Sequence, residues 1–539
     1  MRGEHRPLPE GEKGGVQFMK RKLTAILCCV FLGIFAVSAA AAVTITVGQG
    51  AEPVELDPQN ITDNPSEELC FQIYEGLVGF DVKDGRLEIA PRLADKWEVS
   101  EDGKAWTFSL KKGVQFHSGA PFNAEAVKKN FERLLSGKYK RSSLFSPFLS
   151  EVKVVDEFTV QFILSMSFGP FLHTMCHTAG VIIDPARIDA NADIKNNPSG
   201  TGPFAFKSWQ KGDRITLAAF DKYREGRPKI DTAVFMTIPD DNARTMMLET
   251  GEIDIAERIS SFEVERLREN KDIDLTIQPG MRVMYFAMNA LDPILKEVKV
   301  RQAINYAVDR DAICKNILKG FARPIDSPMA FAVNGYAPVK GYEYKPEKAK
   351  SLLEEAGWKD SDGDKVLEKD GKKLELRLWS PNGRYPMDLK TAEAVQAYLK
   401  AVGIDAKLST MDWAAYLAAT SRKPEENQSQ IFLMGWSPST GDSDWVLRPL
   451  FHTNQWVPGG GNRSFYSNPE VDKYVDFGMT ENDPAKRKEA YRKAQELIVE
   501  DAGWLTMFVL DNVNGRRKNV KGLVESPLEL IFLKGVTKE

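Results

Sequence analysis

Two acids stand in a glycine- and serine-rich stretch, Gly435-Trp436-Ser437-Pro438-Ser439-Thr440-Gly441-Asp442-Ser443-Asp444-Trp445, where the backbone can approach a ligand closely. Asp442 or Asp444 can meet a cationic group there, or serve as a solvated loop acid or a turn-stabilising side chain. Arg384, in Ser380-Pro381-Asn382-Gly383-Arg384-Tyr385, follows a strand end and precedes a helix, and Arg463 follows Asn462. A guanidinium offers a planar fork that matches a carboxylate, although an exposed arginine is the ordinary alternative. Trp436 and Trp445 flank the acidic loop; with Trp413 they can wall side-chain pockets or pack into a core.

Other chemistries are weaker. His173 and His177 are spaced to share one helix face and hold a metal. Thr174 stands where a zinc protease needs a glutamate, and no further ligand cluster accompanies the pair. Asp360-Ser361-Asp362-Gly363-Asp364 begins like a calcium loop, but Gly371 occupies its twelfth position, where a bidentate glutamate is required. A polar hairpin tip is the better reading. The chain has no Gly-x-Ser-x-Gly elbow and no P-loop, so neither hydrolysis nor direct ATP binding is expected of it. Neither a cofactor nor a metal is expected.

Short elements position these groups. Val43–Gly48 is rich in β-branched residues and reads as a buried strand. Trp97–Ser100 and Ala105–Leu110 form a hairpin turned by Asp102-Gly103. Asn123 caps a helix from Ala124 to Leu135, and 152–155 pairs with 159–164. Helices are predicted over 241–250, 300–316, 346–356, 389–402 and 484–499, with Gly251, Gly357 and Gly403 as stop signals. Strands are predicted over 374–379 and 404–408. This interleaving is of the α/β class.

The 539 residues are 42% hydrophobic and 27% charged, with a net charge of −4. At roughly 150 residues per unit the chain holds about three to four folding units, and its charge excludes a nucleic-acid binder driven by bulk basicity. Lys20-Arg21-Lys22, an apolar run from Leu23 to about Val37, and Ser38-Ala39-Ala40-Ala41-Ala42 make a secretory signal peptide cleaved near Ala42. The run is about 15 residues, short of the ~20 that span a bilayer. Leu27 before Cys28 argues against a lipoprotein. Residues 1–18 are unlike a signal, and translation is expected to start at Met19. The leader carries six basic and three acidic residues, so the remainder holds −7 (−4 less +3). Cys70, Cys176 and Cys314 remain, enough for at most one disulfide.

Several blocks resemble family 5 solute-binding proteins, the receptors of peptide- and nickel-type ABC importers. They are Ala90–Trp97 with the following hairpin, Leu110–Gly119, Phe122–Val127, Gly200-Thr201-Gly202-Pro203-Phe204 and Val300–Arg310. The acidic loop, Pro449-Leu450-Phe451, Asn462-Arg463 and Phe465–Asn468 resemble the glutathione-binding and dipeptide-binding members, the former carrying a glutamate at the position of Asp442. The resemblance implies a two-lobed periplasmic-binding-protein fold of type II with an extra subdomain and the ligand in the interlobe cleft. It implies lobe I over 43–80, 199–283 and 503–539, the inserted subdomain over 81–198, and lobe II over 284–502. It further implies a monomeric periplasmic receptor that captures a short peptide, glutathione or a dipeptide, and delivers it to a membrane permease. One of Asp442 and Asp444 would meet the ammonium, and Arg384 lies close to a carboxylate-binding arginine of dipeptide receptors. A nickel chelate, opine or sugar is the alternative ligand on this fold, and a secreted hydrolase the alternative class.

Overall fold

β-Branched residues at Val43–Val47 favour extended backbone, and Thr44–Gln49 is a strand, β1, at the heart of the largest sheet. The structure, a computed structural model, describes residues 42–539. The signal peptide and the start at Met19 fall outside the described residues, apart from Ala42.

The main path of this sheet also holds β2 (Phe204–Gln210), β3 (Arg214–Ala219), β4 (Thr232–Thr237), β5 (Ile255–Ala256), β6 (Ile273–Met288), β7 (Glu375–Pro381), β8 (Asp405–Met411), β9 (Ile431–Trp436) and β10 (Trp504–Arg517), and a short strand off that path, Ala322–Pro324, pairs with β10. Their order is β8-β7-β9-β6-β10-β5-β1-β4-β3-β2. β1 runs parallel to β4 and β5, and β7 runs parallel to β8 and β9. Two parallel units, each covered by helices, therefore sit at either end of one sheet. The long antiparallel pair β6 and β10 joins them, and its register breaks between Pro279 and Val283.

The helices that matter for the site are α1 (Ala124–Leu135), α2 (Phe171–Met175), α3 (Asp241–Thr250), α4 (Val298–Ala307), α5 (Asp388–Ala401), α6 (Trp413–Thr420), α7 (Asp444–Phe451), α8 (Pro469–Thr480) and α9 (Pro484–Glu500). Asn123 caps α1, its side chain accepting from the Ala126 N–H at 3.1 Å. Gly251 closes α3 in the left-handed region, at φ 82°. One face of β7 and β9 buries Leu376, Leu378, Ile431 and Leu433 against α4 and α5. The other face buries Trp379, Phe432 and Met434 with residues of α6, α7, α8 and α9. Residues 94–164 build a separate four-stranded sheet whose core is aromatic, with Phe131 and Phe162 meeting edge-to-face at 4.8 Å.

The single helix expected over 300–316 is corrected. α4 ends at Ala307, Val308 is extended, and a new turn starts because the Asp309 carboxylate accepts from the Ala312 N–H at 2.8 Å. Cys70, Cys176 and Cys314 are buried free thiols. Among the described residues no helix is long and apolar enough to cross a membrane.

Candidate functional site

Strand ends are where an α/β sheet offers its crevice, and loops after β5, β7 and β9 line a cavity of about 1090 Å³ together with the strand β10 and residues 528–531. Its walls come from both ends of the sheet. The Arg384 turn is built by one acid: Asp388, at the start of α5, accepts from the N–H groups of Gly383, Arg384 and Tyr385 at 3.2, 2.8 and 3.1 Å. This nest fixes the backbone and leaves the Arg384 side chain free to extend. Its guanidinium lies 5.1 Å from the ring centres of both Tyr385 and Trp413, a cation–π position. Tyr385 and Trp413 meet edge-to-face at 5.8 Å. The Tyr385 hydroxyl accepts from the Gly435 N–H at 3.1 Å, which ties this turn to β9.

Trp436 ends β9, and its indole N–H donates to the Trp445 carbonyl at 2.8 Å, so the two tryptophans are set as one unit. Both line the cavity, as do Trp413, Arg384 and Arg463. Arg463 donates only weakly, to Ser421 Oγ at 3.3 Å and the Gly461 carbonyl at 3.4 Å. Neither Arg384 nor Arg463 forms an ion pair among the described residues. Two further arginines, Arg258 and Arg282, share one carboxylate, Glu529, at 3.3 and 3.4 Å. Burial alone would raise the Glu529 carboxyl, but Arg282 and Arg258 outweigh it and hold it below the usual range.

Asp442, Asp444 and Asn462 do not line this cavity; they hold its supporting loops. Asp442 has no exposed surface. Its Oδ1 accepts from Arg487 Nη2 at 2.8 Å and the Asp444 N–H at 2.9 Å, while Oδ2 accepts from Asn334 Nδ2 at 2.8 Å. His173 stands 3.5 Å away. Burial would raise this carboxyl, but Arg487 and then His173 pull it down to about 2. Asp444 pairs with Arg448 one turn along α7 at 2.6 Å. Asn462 is enclosed and donates to the Tyr466 carbonyl at 2.9 Å. His173 and His177 are not on one helix, because α2 stops at Met175. Asp360, Asp362, Asp364 and Glu368 bring one oxygen each within 4.8 Å at an exposed hairpin, and Lys373 pairs with Asp362 and Asp364.

The sequence reading missed Tyr385, Arg282, Glu257 and Glu529 on the cavity wall. Tyr385 was adjacent to a chosen residue. The other three carry no local motif: Arg282 comes from within β6, Glu257 from the residue after β5 and Glu529 from the 528–531 segment.

Two parallel sheet units joined by a long antiparallel pair and lining a polar, aromatic-walled cavity define a two-lobed solute-binding receptor of the type II class. The chain belongs to the bacterial extracellular solute-binding proteins, family 5, whose model matches residues 88–457. It is 33% identical over 511 residues to the glutathione-binding protein GsiB of Salmonella choleraesuis (strain SC-B67), covering 94% of this chain and 96% of that protein. The GsiB of Escherichia coli O157:H7 is 32% identical over 494 residues, covering 91% and 93%. Among solved structures, HbpA2 from Haemophilus parasuis superposes with a TM-score of 0.81 at 27% identity over 92% of this chain and 100% of that one. The oligopeptide-binding protein AppA from Bacillus subtilis, in complex with a nonapeptide, gives 0.74 at 28% identity over 92% and 99%.

Proposed function

We propose that this chain is the periplasmic capture receptor of an ABC importer for a short anionic peptide of the glutathione kind. The observation that carries the reading is a pair of arginines on the cavity wall, Arg384 and Arg463, that form no ion pair among the described residues. Arg258 and Arg282, by contrast, share a single glutamate, Glu529. Glutathione brings two carboxylates and one ammonium, a net charge of −1. A dipeptide brings only one carboxylate for Arg384 and Arg463 and leaves the other of the two unpaired in a desolvated cleft, which is costly. The GsiB relatives, named for glutathione, support the same choice. Trp413, Trp436, Trp445 and Tyr385 would supply the apolar walls around the peptide backbone.

In this reading 43–80, 199–283 and 503–539 form lobe I, 81–198 the inserted subdomain and 284–502 lobe II. The hinge lies at the register break of β6. The protein is exported by a cleaved signal peptide, works as a monomer without catalysis, and hands its ligand to the permease, other chains hydrolysing the ATP. Closure follows because a ligand touching both lobes favours the closed state.

Isothermal titration with reduced glutathione, alanyl-alanine, a nickel–histidine chelate and a sugar tests it. Glutathione should bind tightest, and Arg384→Ala and Arg463→Ala should each weaken it about 10- to 100-fold, the scale of a charged hydrogen bond. Tighter binding of the chelate or the sugar, or glutathione affinity untouched by both substitutions, removes the assignment. Mass spectra of glutathione incubated with the protein should show it uncleaved; cleavage would favour the hydrolase.

A further inference from the structure

Glu257 follows β5 on the wall that the β1 end of the sheet contributes to the cavity. Its main chain is pinned: its N–H donates to the Gly48 carbonyl at 3.1 Å, and its own carbonyl accepts from Arg244 Nε at 2.9 Å. The residue is only 9% exposed, and its Oε1 is buried without a hydrogen-bond donor among the described residues. Behind it lies a second acid, Glu68, 2% exposed and in hydrogen-bond contact with Glu257. Glu68 accepts from Gln49 Nε2 at 2.6 Å and from the Ile531 N–H at 3.1 Å.

Two touching carboxyl groups in a buried place cannot both be ionised. Glu68 is the deeper one, and burial, reinforced by the charge of Glu257, raises it well above the usual range. Glu68 is therefore the member of the pair that holds a proton, and Glu257 is the member on the cavity wall, where a cationic group can reach it. Burial also leaves Glu257 raised, although the hydrogen bond from Glu68, then Arg258, Arg244 and Gln49, oppose it. Neither arginine is free to form a direct pair. The Arg244 guanidinium is spent on the carbonyls of Ile238, Glu257 and Arg258 and on Asp241. Arg258 turns to Glu529. A buried carboxyl group with an unpartnered oxygen is satisfied by a charged donor, and Glu257 is a lining residue of the cavity.

We infer that Glu257 receives the ammonium group of the bound peptide, a role closed to Asp442 because its oxygens are already taken by Arg487, Asn334 and the Asp444 amide. The carboxylates of the ligand then lie toward Arg384 and Arg463 on the opposite lobe, and the peptide's charges span the cleft. The inference rests on the peptide reading above but not on glutathione being the peptide.

The test is titration calorimetry with two matched pairs: glutathione against glutaryl-cysteinyl-glycine, and alanyl-alanine against propionyl-alanine. Each pair differs only in the amine. The wild type should prefer the amine form of its better pair by about 10- to 100-fold. Glu257→Gln should abolish that preference while leaving affinity for the amine-free partner unchanged, which also shows that the variant is folded. Glu257→Asp keeps the charge but withdraws it, so its preference should fall to an intermediate value. That second variant decides the matter if Glu257→Gln does not fold: a preference unchanged in Glu257→Asp overturns the inference. Asp442→Asn should keep the preference. Preference surviving in Glu257→Gln overturns the role of Glu257 and leaves glutathione capture standing. Preference confined to alanyl-alanine and lost in Glu257→Gln removes glutathione and keeps Glu257. A wild type indifferent to the amine in both pairs overturns the inference.

Discussion

A carboxylate with no exposed surface is stable only while its partners stay in place. Asp442 is such a group, held to about 2 by Arg487 and His173 against the opposing effect of burial. Its folded pKa lies below the ordinary unfolded value of ~3.9. The stabilisation it supplies is therefore complete above about pH 4 and is lost as the pH falls toward 2. Arg487→Met should cost about 3–5 kcal/mol, because it strands a buried charge. Asp442→Asn should melt lower at pH 7 and lose its difference from the wild type as the pH approaches 2. Melting temperatures by circular dichroism from pH 7 to 2 check both; a constant gap between Asp442→Asn and the wild type across that window would refute the ion-pair account. At this scale the sequence was half legible. Arg384, Arg463 and the three tryptophans line the cavity, and the glycine-bearing turns around Arg384, Arg463, Trp436 and Trp445 made those four visible. Asp442 did not declare its partner: Arg487 lies 45 positions away, and an acid in a glycine-rich loop looks the same whether it faces a ligand or an arginine. Glu257 has the converse problem, its meaning resting on Glu68 and on the exhausted donors of Arg244.

Elements were readable where the signal is local. Asn123 before Ala124, Gly251 after Thr250 and the Asp102-Gly103 turn each specify one backbone geometry, and each feature stands where its residues require. β6 was not readable. Pro279-Gly280 looks like a break, yet the strand passes through it by shifting register against β10. Its Val283–Met288 end is buried throughout, which removes the alternation that marks a half-exposed strand. The α8–α9 pair gives a test of how tightly the helices are packed. Gly478 in α8 faces the Tyr491 ring of α9, and a methyl group there would come within 2.4 Å of the ring. Alanine ordinarily stabilises a helix interior by roughly 0.5–1 kcal/mol over glycine. Here the overlap should reverse the sign, and Gly478→Ala should destabilise by about 1–3 kcal/mol, the range for overpacking a core. Urea unfolding measures the sign directly, and a stabilised variant would mean that α8 and α9 can move apart.

At the scale of the whole molecule, some contacts between distant segments do not pass through the cavity. The Gly169 N–H donates to the Met479 carbonyl at 2.8 Å, and Ser167 Oγ donates to the Thr480 carbonyl at 2.7 Å. Asn482 Nδ2 reaches Ser167 Oγ at 2.8 Å, and His173 rests against Asp442. These pairs join the 81–198 segment to residues 442–482 without touching Arg384, Arg463 or Glu257. Gly169 is the tightest of them: a Cβ there would lie 2.1 Å from the Glu481 carbonyl oxygen and 2.8 Å from Arg487 Nε. Gly169→Val must therefore push the two segments apart. If the closed state is the one that holds the ligand, apparent affinity falls by the fraction still able to close. A variant that closes about a tenth as often should bind glutathione about tenfold more weakly, with no change to any residue on the cavity wall. Small-angle scattering should show a wild type that compacts on adding glutathione, and a Gly169→Val that stays extended until the ligand is raised by the same factor. Unaltered affinity in a variant that scattering shows to be open would separate capture from closure, and the arginine wall of one lobe would then hold the ligand alone. A lost amine preference in Glu257→Gln together with a weakened Gly169→Val would place the two lobes on opposite ends of the same peptide.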